Sequence, residues 1–250
     1  MSGHSKWKTI QHKKGAADAK RGKIFSRISK ELTVTARMGG GNPEMNPTLR
    51  TVVQTARAAN MPMDNITRAI KKGTGELDGG TFDEIIYEGY ASGGVGLVVK
   101  VLTDNRNRAA AEIRHIFTKN GSSFAQQGAV SRSFHRKGQV LIEGDAIAED
   151  DLMELVLEAG AEDMTSEDGR YEVLTDPLAF NDVVTAIREK GIEPDTAELS
   201  LIPETLVPVN DEKTARAILR FMNELEDNED VQDVYANFDI SDELMNAVNE

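Results

Sequence analysis

The segment "FDEIIYEGYASGGVGLVVKVLT", residues 82–103, decides the fold class of the chain. Its two halves are rich in β-branched and aromatic residues, which favour strands. The "SGG" between them, at 92–94, is typical of a tight turn, so the segment predicts a β-hairpin. The glycines do not indicate a phosphate-binding loop, because they lie between two strands and do not lead into a helix N-terminus.

Before this hairpin, apolar residues recur at helical spacing. The first predicted helix starts at Lys23 and ends at the glycines 39–41, because glycine supplies a left-handed C-cap. An Asn-Pro pair at 46–47 predicts the start of a second helix, and Asp64 the cap of a third that ends at Gly73. Three short helices with tight connections predict a small bundle. Four methionines beside these helices are predicted to fill its core: Met38, Met45, Met61 and Met63.

After the hairpin, helical and strand patterns alternate. Residues 129–144 predict a second hairpin that turns at Lys137-Gly138. The other predicted helices cover 104–121, with Asn105 or Asn107 as its cap, 149–159, 178–190 and 211–226, and the other predicted strands lie near 161–165, 170–175, 195–202 and 231–239.

The order of these elements predicts an α+β protein of three domains, an N-terminal small helical bundle and two ferredoxin-like α/β domains, one of them discontinuous. The elements of residues 129–202 by themselves give nearly a whole ferredoxin-like unit. Those of 82–120 leave one face of their sheet partly uncovered until the last predicted helix and strand of the chain are added. The predicted division is a flexible basic arm at 1–22, the bundle at 23–75, a discontinuous α/β domain at 81–128 and 204–250, and an inserted α/β domain at 129–203.

Charge is distributed unevenly along the 250 residues. Residues 1–80 carry 15 Lys and Arg against 6 Asp and Glu, a net charge of +9, and residues 81–137 carry 8 against 5, a net +3. Residues 138–250 carry 6 against 31, a net −25, so the whole chain is at −13. This asymmetry predicts separate surfaces with separate partners.

The strongest functional signal is the cationic segment "SGHSKWKTIQHKKGAADAKRGKIFSRISKE" at 2–31. Its first part predicts an arm that can follow a phosphate backbone, and its single tryptophan can stack on a base. From Lys23 the cations follow one face of a helix. The alternative is a solvated tail whose tryptophan folds back onto the bundle. The residues predicted to bind nucleic acid here are Lys6, Trp7, Lys8, His12, Lys13, Lys14, Lys20, Arg21, Lys23, Arg27 and Lys30.

A second cationic pair, Arg106 and Arg108, lies in "TDNRNR" at 103–108, where a strand meets a helix. Helix capping explains Asp104 and the asparagines, but arginines near a helix start oppose the macrodipole. A second nucleic-acid or partner contact therefore stays open. The acidic half of the chain is either a solubility surface, a surface that repels bulk nucleic acid, or a docking face for a basic protein.

Several classes of protein are disfavoured. The absence of cysteine excludes disulfides and thiolate metal sites and favours a cytoplasmic location. The four histidines lack metal-ligand spacing, and no nucleophile lies beside a base, so we expect no catalytic residue, no cofactor, no metal and no enzyme activity. The most apolar run, at 95–102, is too short to cross a membrane.

Several motifs resemble the YebC/PmpR family, which includes the mitochondrial translational activator of cytochrome oxidase subunit I. They are "GHSKW" at 3–7, "NMPMDNITRAIKKG" at 60–73, "LTDNRNR" at 102–108 and "GAVS" at 128–131. The resemblance implies a three-domain α+β protein. It also implies a cytoplasmic DNA-binding transcriptional regulator, although the mitochondrial branch and some bacterial relatives act in translation.

Two functions follow from the residues and the resemblance together. The first is a DNA-binding transcriptional regulator that uses the basic arm and first helix. The alternative is a ribosome-associated translation factor that contacts rRNA. The expected partners are DNA or rRNA, with a basic protein as a further candidate for the acidic half. The sequence shows no helix-turn-helix or zinc finger, and we expect a monomer.

Overall fold

A computed structural model gives the architecture for Gly3, Trp7 and residues 18–78, 81–144, 146–167 and 169–249. Helices and strands are numbered in chain order within these residues. The helices are α1 (Asp18–Gly39), α2 (Pro47–Ala58), α3 (Met63–Thr74), α4 (Arg106–Lys119), α5 (Glu149–Glu158), α6 (Phe180–Glu189), α7 (Glu212–Glu226) and α8 (Asp242–Asn249). The strands are β1 (Asp83–Tyr90), β2 (Gly96–Thr103), β3 (Ser123–Phe124), β4 (Phe134–Glu143), β5 (Ala161–Glu167), β6 (Arg170–Thr175), β7 (Thr196–Pro203), β8 (Val207–Pro208), β9 (Val231–Ala236) and β10 (Phe238–Asp239). The α+β class is confirmed.

The first three helices form the predicted bundle, with differences at their ends. Helix α1 begins at Asp18, so its first turn replaces the last residues of the predicted arm. Asn46 caps α2 as expected, because its side chain accepts the Leu49 N–H at 3.1 Å. The predicted Asp64 cap is wrong: α3 begins at Met63 behind Pro62, which can occupy this position because its missing N–H is not needed there.

A glycine brings α1 and α3 close together. A Cβ added to Gly73 would lie 2.4 Å from the Thr33 carbonyl oxygen and 2.8 Å from Ala36 Cβ. The helix continues past this glycine and ends at Thr74, with Gly75 in the left-handed conformation. Gly73 is therefore a packing residue and not the predicted end of the helix.

The first sheet has the strand order β3-β1-β2-β9. Strands β1 and β2 form the predicted hairpin, with Gly93 and Gly94 at positive φ in its turn. Helices α4 and α7 cover one face, on a core that includes Val99, Phe117 and Phe221. In this sheet β9, near the end of the chain, pairs with β2, which precedes residue 125. A domain made of two separate segments of the chain requires such a pairing.

The second sheet has the strand order β5-β6-β4-β7 and follows a βαββαβ chain path. This is the ferredoxin-like arrangement. The predicted hairpin at 129–144 is wrong, because β4 runs unbroken through Lys137 and Gly138 and pairs with β6 and β7 on its two sides. Gly138 is required by close packing, since a Cβ there would lie 2.3 Å from Thr175 Oγ1 and 2.5 Å from the Phe180 ring.

Two further pieces adjoin the core that packs on the first sheet. Helix α8, which the sequence did not predict, packs on α7 and buries Met245. Gly3 lies so close to Phe238 and Ile240 that a Cβ there would be 2.7 Å from the Phe238 ring. The domain limits near residues 128 and 203 stay a prediction.

Candidate nucleic-acid interface

The predicted cationic stripe of α1 faces an acidic loop of the same chain. Lys23 Nζ lies 3.0 Å from Asp227 Oδ1, and Lys30 Nζ lies 2.9 Å from Asp230 Oδ1. Between them, Arg27 donates to the carbonyl oxygen of Glu226. We call residues 226–230 the acidic loop. The stripe residues are therefore interdomain contacts in this structure.

Asp230 is the centre of that contact. Its side chain is only 5% exposed and accepts hydrogen bonds from Lys30, from Arg108 at 2.9 Å and from Thr103 at 2.9 Å. Burial by itself would raise the pKa of Asp230, but these three hydrogen bonds outweigh it and hold the pKa below its usual value. Asp230 thus joins the bundle to β2 and α4.

The two predicted arginines of α4 also have internal partners. Arg106 makes a bidentate pair with Asp83, with Nε and Nη2 2.7 and 3.0 Å from its carboxylate oxygens. Arg108 donates to Asp104 at 2.9 Å as well as to Asp230. Asn105 caps the helix by accepting the Arg108 N–H. Nearby carboxylates therefore offset the unfavourable position of these arginines at the helix start.

Trp7 does not lie on the surface. It is 2% exposed and belongs to the core of the first sheet, with Phe238 and Met245 in the same cluster. The stacking role predicted for it needs an accessible ring, which this structure does not offer. The alternative prediction is that Trp7 folds back onto the bundle. The ring does pack on the protein, but in the core of the first sheet and not on the bundle.

The remaining nucleic-acid-binding candidates of the predicted arm fall into two groups. Lys20 and Arg21 lie in the first turn of α1, and their side chains are not described. The other candidates of the arm lie outside the described residues: Lys6, Lys8, His12, Lys13 and Lys14.

A cationic surface that the sequence prediction missed lies on α3. Lys71 and Lys72 lie three and four residues after Arg68, so the three cations share one side of the helix, and all three are exposed. Within the described part of the chain none of them makes an ion pair. We call these three residues the α3 face. The sequence signal was the spacing in "RAIKK" at 68–72, opposite the buried Ile66 and Ala69.

The connection into α3 is short and tightly turned. Helix α2 ends at Ala58 and α3 begins at Met63, and Asn60 between them has a φ of 57°. Asparagine tolerates this left-handed conformation better than most residues. The chain therefore has a helix, a four-residue turn and a second helix here.

Three of the four methionines beside the bundle helices are exposed. Met38 is 83% exposed, Met45 82% and Met63 52%, whereas Met61 is buried. The prediction that all four fill the core is wrong for three of them. Met63 occupies the first turn of α3, so the start of that helix presents an exposed apolar side chain.

Where α1 meets both sheets, acidic side chains surround one lysine. Burial, with a smaller contribution from Asp233, raises the pKa of Glu31 to about 7, and the charge of Lys100 acts in the opposite direction. Glu84 also pairs with Lys100, at 3.5 Å. The acids at this junction come from α1, β1, β7 and β9: Glu31, Glu84, Glu198 and Asp233.

The helices of the described residues include none that is both long and apolar enough to cross a bilayer.

A small cationic helical bundle followed by two four-stranded antiparallel sheets defines a class of three-part α+β proteins. The chain belongs to the TACO1/YebC family: residues 5–76 match the model of the TACO1/YebC N-terminal domain, and residues 82–238 match that of the second and third domains. The family resemblance drawn from the motifs is confirmed.

Relatives and a solved structure agree with this assignment. A probable transcriptional regulatory protein of Geobacter sulfurreducens is 55% identical over 245 residues, 98% of each chain. One of Syntrophobacter fumaroxidans is 52% identical over 248 residues, 99% of this chain and all of the relative. The crystal structure of a conserved hypothetical protein from Aquifex aeolicus has a TM-score of 0.82 at 45% identity, over 93% of this chain and 96% of that one. The names of the relatives support a regulatory role.

Proposed function

We propose that the protein is a DNA-binding transcriptional regulator that meets phosphate through the α3 face of its helical bundle. The observation that carries this proposal is the contrast in pairing. The predicted cations whose side chains are described all have acidic or carbonyl partners: Lys23, Arg27 and Lys30 on α1, and Arg106 and Arg108 on α4. The cations of the α3 face have no ion pair among the described residues. Unpaired cations keep their full attraction for a polyanion.

The turn before α3 favours duplex DNA as the polyanion. In helix-turn-helix proteins the second helix lies in the major groove and its first residues contact base edges. Here the first two turns of α3 carry three exposed side chains, Met63, Thr67 and Arg68. A methionine and a threonine methyl group can contact a thymine methyl, while the arginine can donate to guanine or to phosphate.

The experiment is a salt titration of binding to a labelled duplex, followed by fluorescence anisotropy. The variant replaces Arg68, Lys71 and Lys72 by Glu. The control replaces three other exposed cations by Glu, so that its net charge changes by the same amount as that of the variant. They lie on other helices or at their ends: Lys190, Lys213 and Arg220. We expect the α3 variant to lose at least about tenfold in affinity and its slope against log salt to fall by about 3, and the control to lose far less. Equal losses would contradict the proposal.

The alternative polyanion is rRNA on the ribosome. It uses the same cations, but the stacking residue that favoured RNA, Trp7, is buried. Titration with an rRNA hairpin under the same salt conditions, together with co-sedimentation with ribosomes, separates the two. If the protein binds the hairpin more tightly than duplex DNA, and the α3 variant loses this binding, rRNA would replace DNA as the proposed ligand and the α3 face would remain the proposed site. Crosslinking in cells with sequencing of both DNA and RNA would identify the target.

A further inference from the structure

Strand β1 is hydrogen bonded along one side and mostly open along the other. It pairs with β2 over all eight of its residues. On the other side, β3 pairs only with Gly89 and Tyr90, and one more bond joins the Ala125 N–H to the Glu88 carbonyl at 2.8 Å. The position beside β1 is thus filled at its end and open before Glu88.

The alternation of antiparallel pairing tells which backbone groups face that open side. Ala91 N–H donates to the Val95 carbonyl at 2.8 Å, so the odd-numbered residues of β1 bond to β2 and the even-numbered ones point away. Glu88 obeys this rule. The N–H and C=O groups of Glu84 and Ile86 therefore point to the open side, and no described residue hydrogen bonds to them.

These groups line a groove of about 300 Å³ between β1 and residues 124–127. Phe124, 38% exposed, stands in its wall and stacks on the buried Phe117 with ring centroids 4.3 Å apart. The loop behind it is fixed, because the buried Glu88 carboxylate accepts the N–H groups of Gly128 and Val130 at 2.7 Å each. The groove is therefore preformed. We call it the edge groove.

We propose that the edge groove is a strand-addition site, which takes an extended segment of a partner protein in β conformation. Open backbone groups two residues apart repeat about every 7 Å, which is the repeat of a β peptide. The open edge offers both N–H donors and C=O acceptors, which match another peptide backbone, whereas a phosphate backbone has acceptors only. This site is independent of the nucleic-acid function proposed above.

The side chains around the groove specify the chemistry of the segment. On the α4 side, Arg106 lines the groove but is paired with Asp83. Arg114 is exposed, has no ion pair among the described residues, and is close enough to Tyr87 to act on its hydroxyl electrostatically, so it is the cation that selects an acidic side chain. The segment therefore presents acidic side chains on that side, with an aromatic or aliphatic one against Phe124. Because side chains alternate in a strand, these selected residues recur at every second position.

The first experiment selects ligands from a phage-displayed library of random dodecapeptides with the full chain as bait. Ile86→Pro is the counter-selection, because it removes an N–H that the ladder with β2 does not use. A double variant, Arg114→Glu with Phe124→Ser, repeats the test without a backbone change. We expect enriched peptides whose acidic and apolar residues recur at every second position and that bind the wild type at least about tenfold more tightly than either variant. Absence of enrichment, or equal binding to all three proteins, would overturn the proposal.

The second experiment uses the most enriched peptide in synthetic form. Methylating every second backbone amide should abolish binding in one register and leave it in the other, because only one edge of the peptide meets β1. Amide exchange at Ile86 should slow in the complex. The strand-addition site would be overturned by any of three results. These are equal effects of methylation on binding in both registers, unchanged amide exchange at Ile86, and displacement of the peptide by oligouridylate that binds this groove more tightly.

Discussion

The α1 stripe and the α3 face have the same pattern of cations and opposite surroundings. On α1 the successive cations are four and three residues apart, and on α3 Lys71 and Lys72 lie three and four residues after Arg68, so each set shares one side of a helix. Lys23, Arg27 and Lys30 meet the acidic loop more than 190 residues away in sequence, whereas the α3 face stays exposed. A cationic helical face therefore does not by itself indicate a polyanion ligand, because the decisive fact is whether the chain supplies the counter-charge.

The largest expected effect is on Asp230, the residue that joins the α1 stripe to α4. Asp230→Ala leaves Lys30 and Arg108 facing each other without a carboxylate, and we expect the free energy of unfolding to fall by about 3 kcal/mol. Urea unfolding followed by circular dichroism measures it. A loss below about 1 kcal/mol would show that the contact is a surface pair and would remove the contrast with the α3 face.

A smaller effect concerns Glu31, on the side of α1 that meets the sheets. Its native pKa of about 7 lies above the ordinary 4.5, so the native state holds this proton more tightly than the unfolded chain. The free energy of unfolding should fall as pH rises from about 4.5 to about 7, by no more than about 3 kcal/mol, and level off above. Urea unfolding of Glu31→Gln at pH 5 and pH 8 should show a smaller difference than the wild type. An unchanged difference would assign the pH dependence to other groups.

Single charge reversals compare the two cationic surfaces directly. We expect Lys71→Glu to weaken duplex binding about threefold to tenfold without changing stability, because it removes one phosphate contact. Lys30→Glu should lower the free energy of unfolding through repulsion of Asp230. Duplex binding is compared at a temperature where both variants are folded. The affinity of Lys30→Glu for the duplex should then fall less than the affinity of Lys71→Glu. A reversed order of affinities would place the nucleic-acid site on α1.

The smallest effect is expected at the exposed end of the α1 stripe. The Asp227 side chain is 84% exposed, so its pair with Lys23 is screened by solvent. Asp227→Ala should change the free energy of unfolding by less than about 0.5 kcal/mol, in the same urea assay as Asp230→Ala. A fall in the free energy of unfolding as large as that of Asp230→Ala would mean that burial does not determine how much each of these ion pairs contributes to stability.

Much of the fold was predictable because its signals are local. The Asn46 cap and the turn at 92–94 depend on residues within a few positions of one another. The errors arose where a distant contact outweighs a local one. Gly138 looked like a turn, but Thr175 and Phe180 pack against its backbone inside a strand. Gly73 looked like a helix end, but α1 crosses it there.

The candidate site was less predictable than the fold for the same reason. Sequence by itself determined the α+β class, the family and the excess of cations before residue 80, because composition, periodicity and motif are properties of the chain. Only the tertiary structure decided which cations are neutralised, that Trp7 is buried, and that β1 keeps an open edge. Each depends on which distant groups come within a few ångströms, where burial and hydrogen bonding set the energy of a charge.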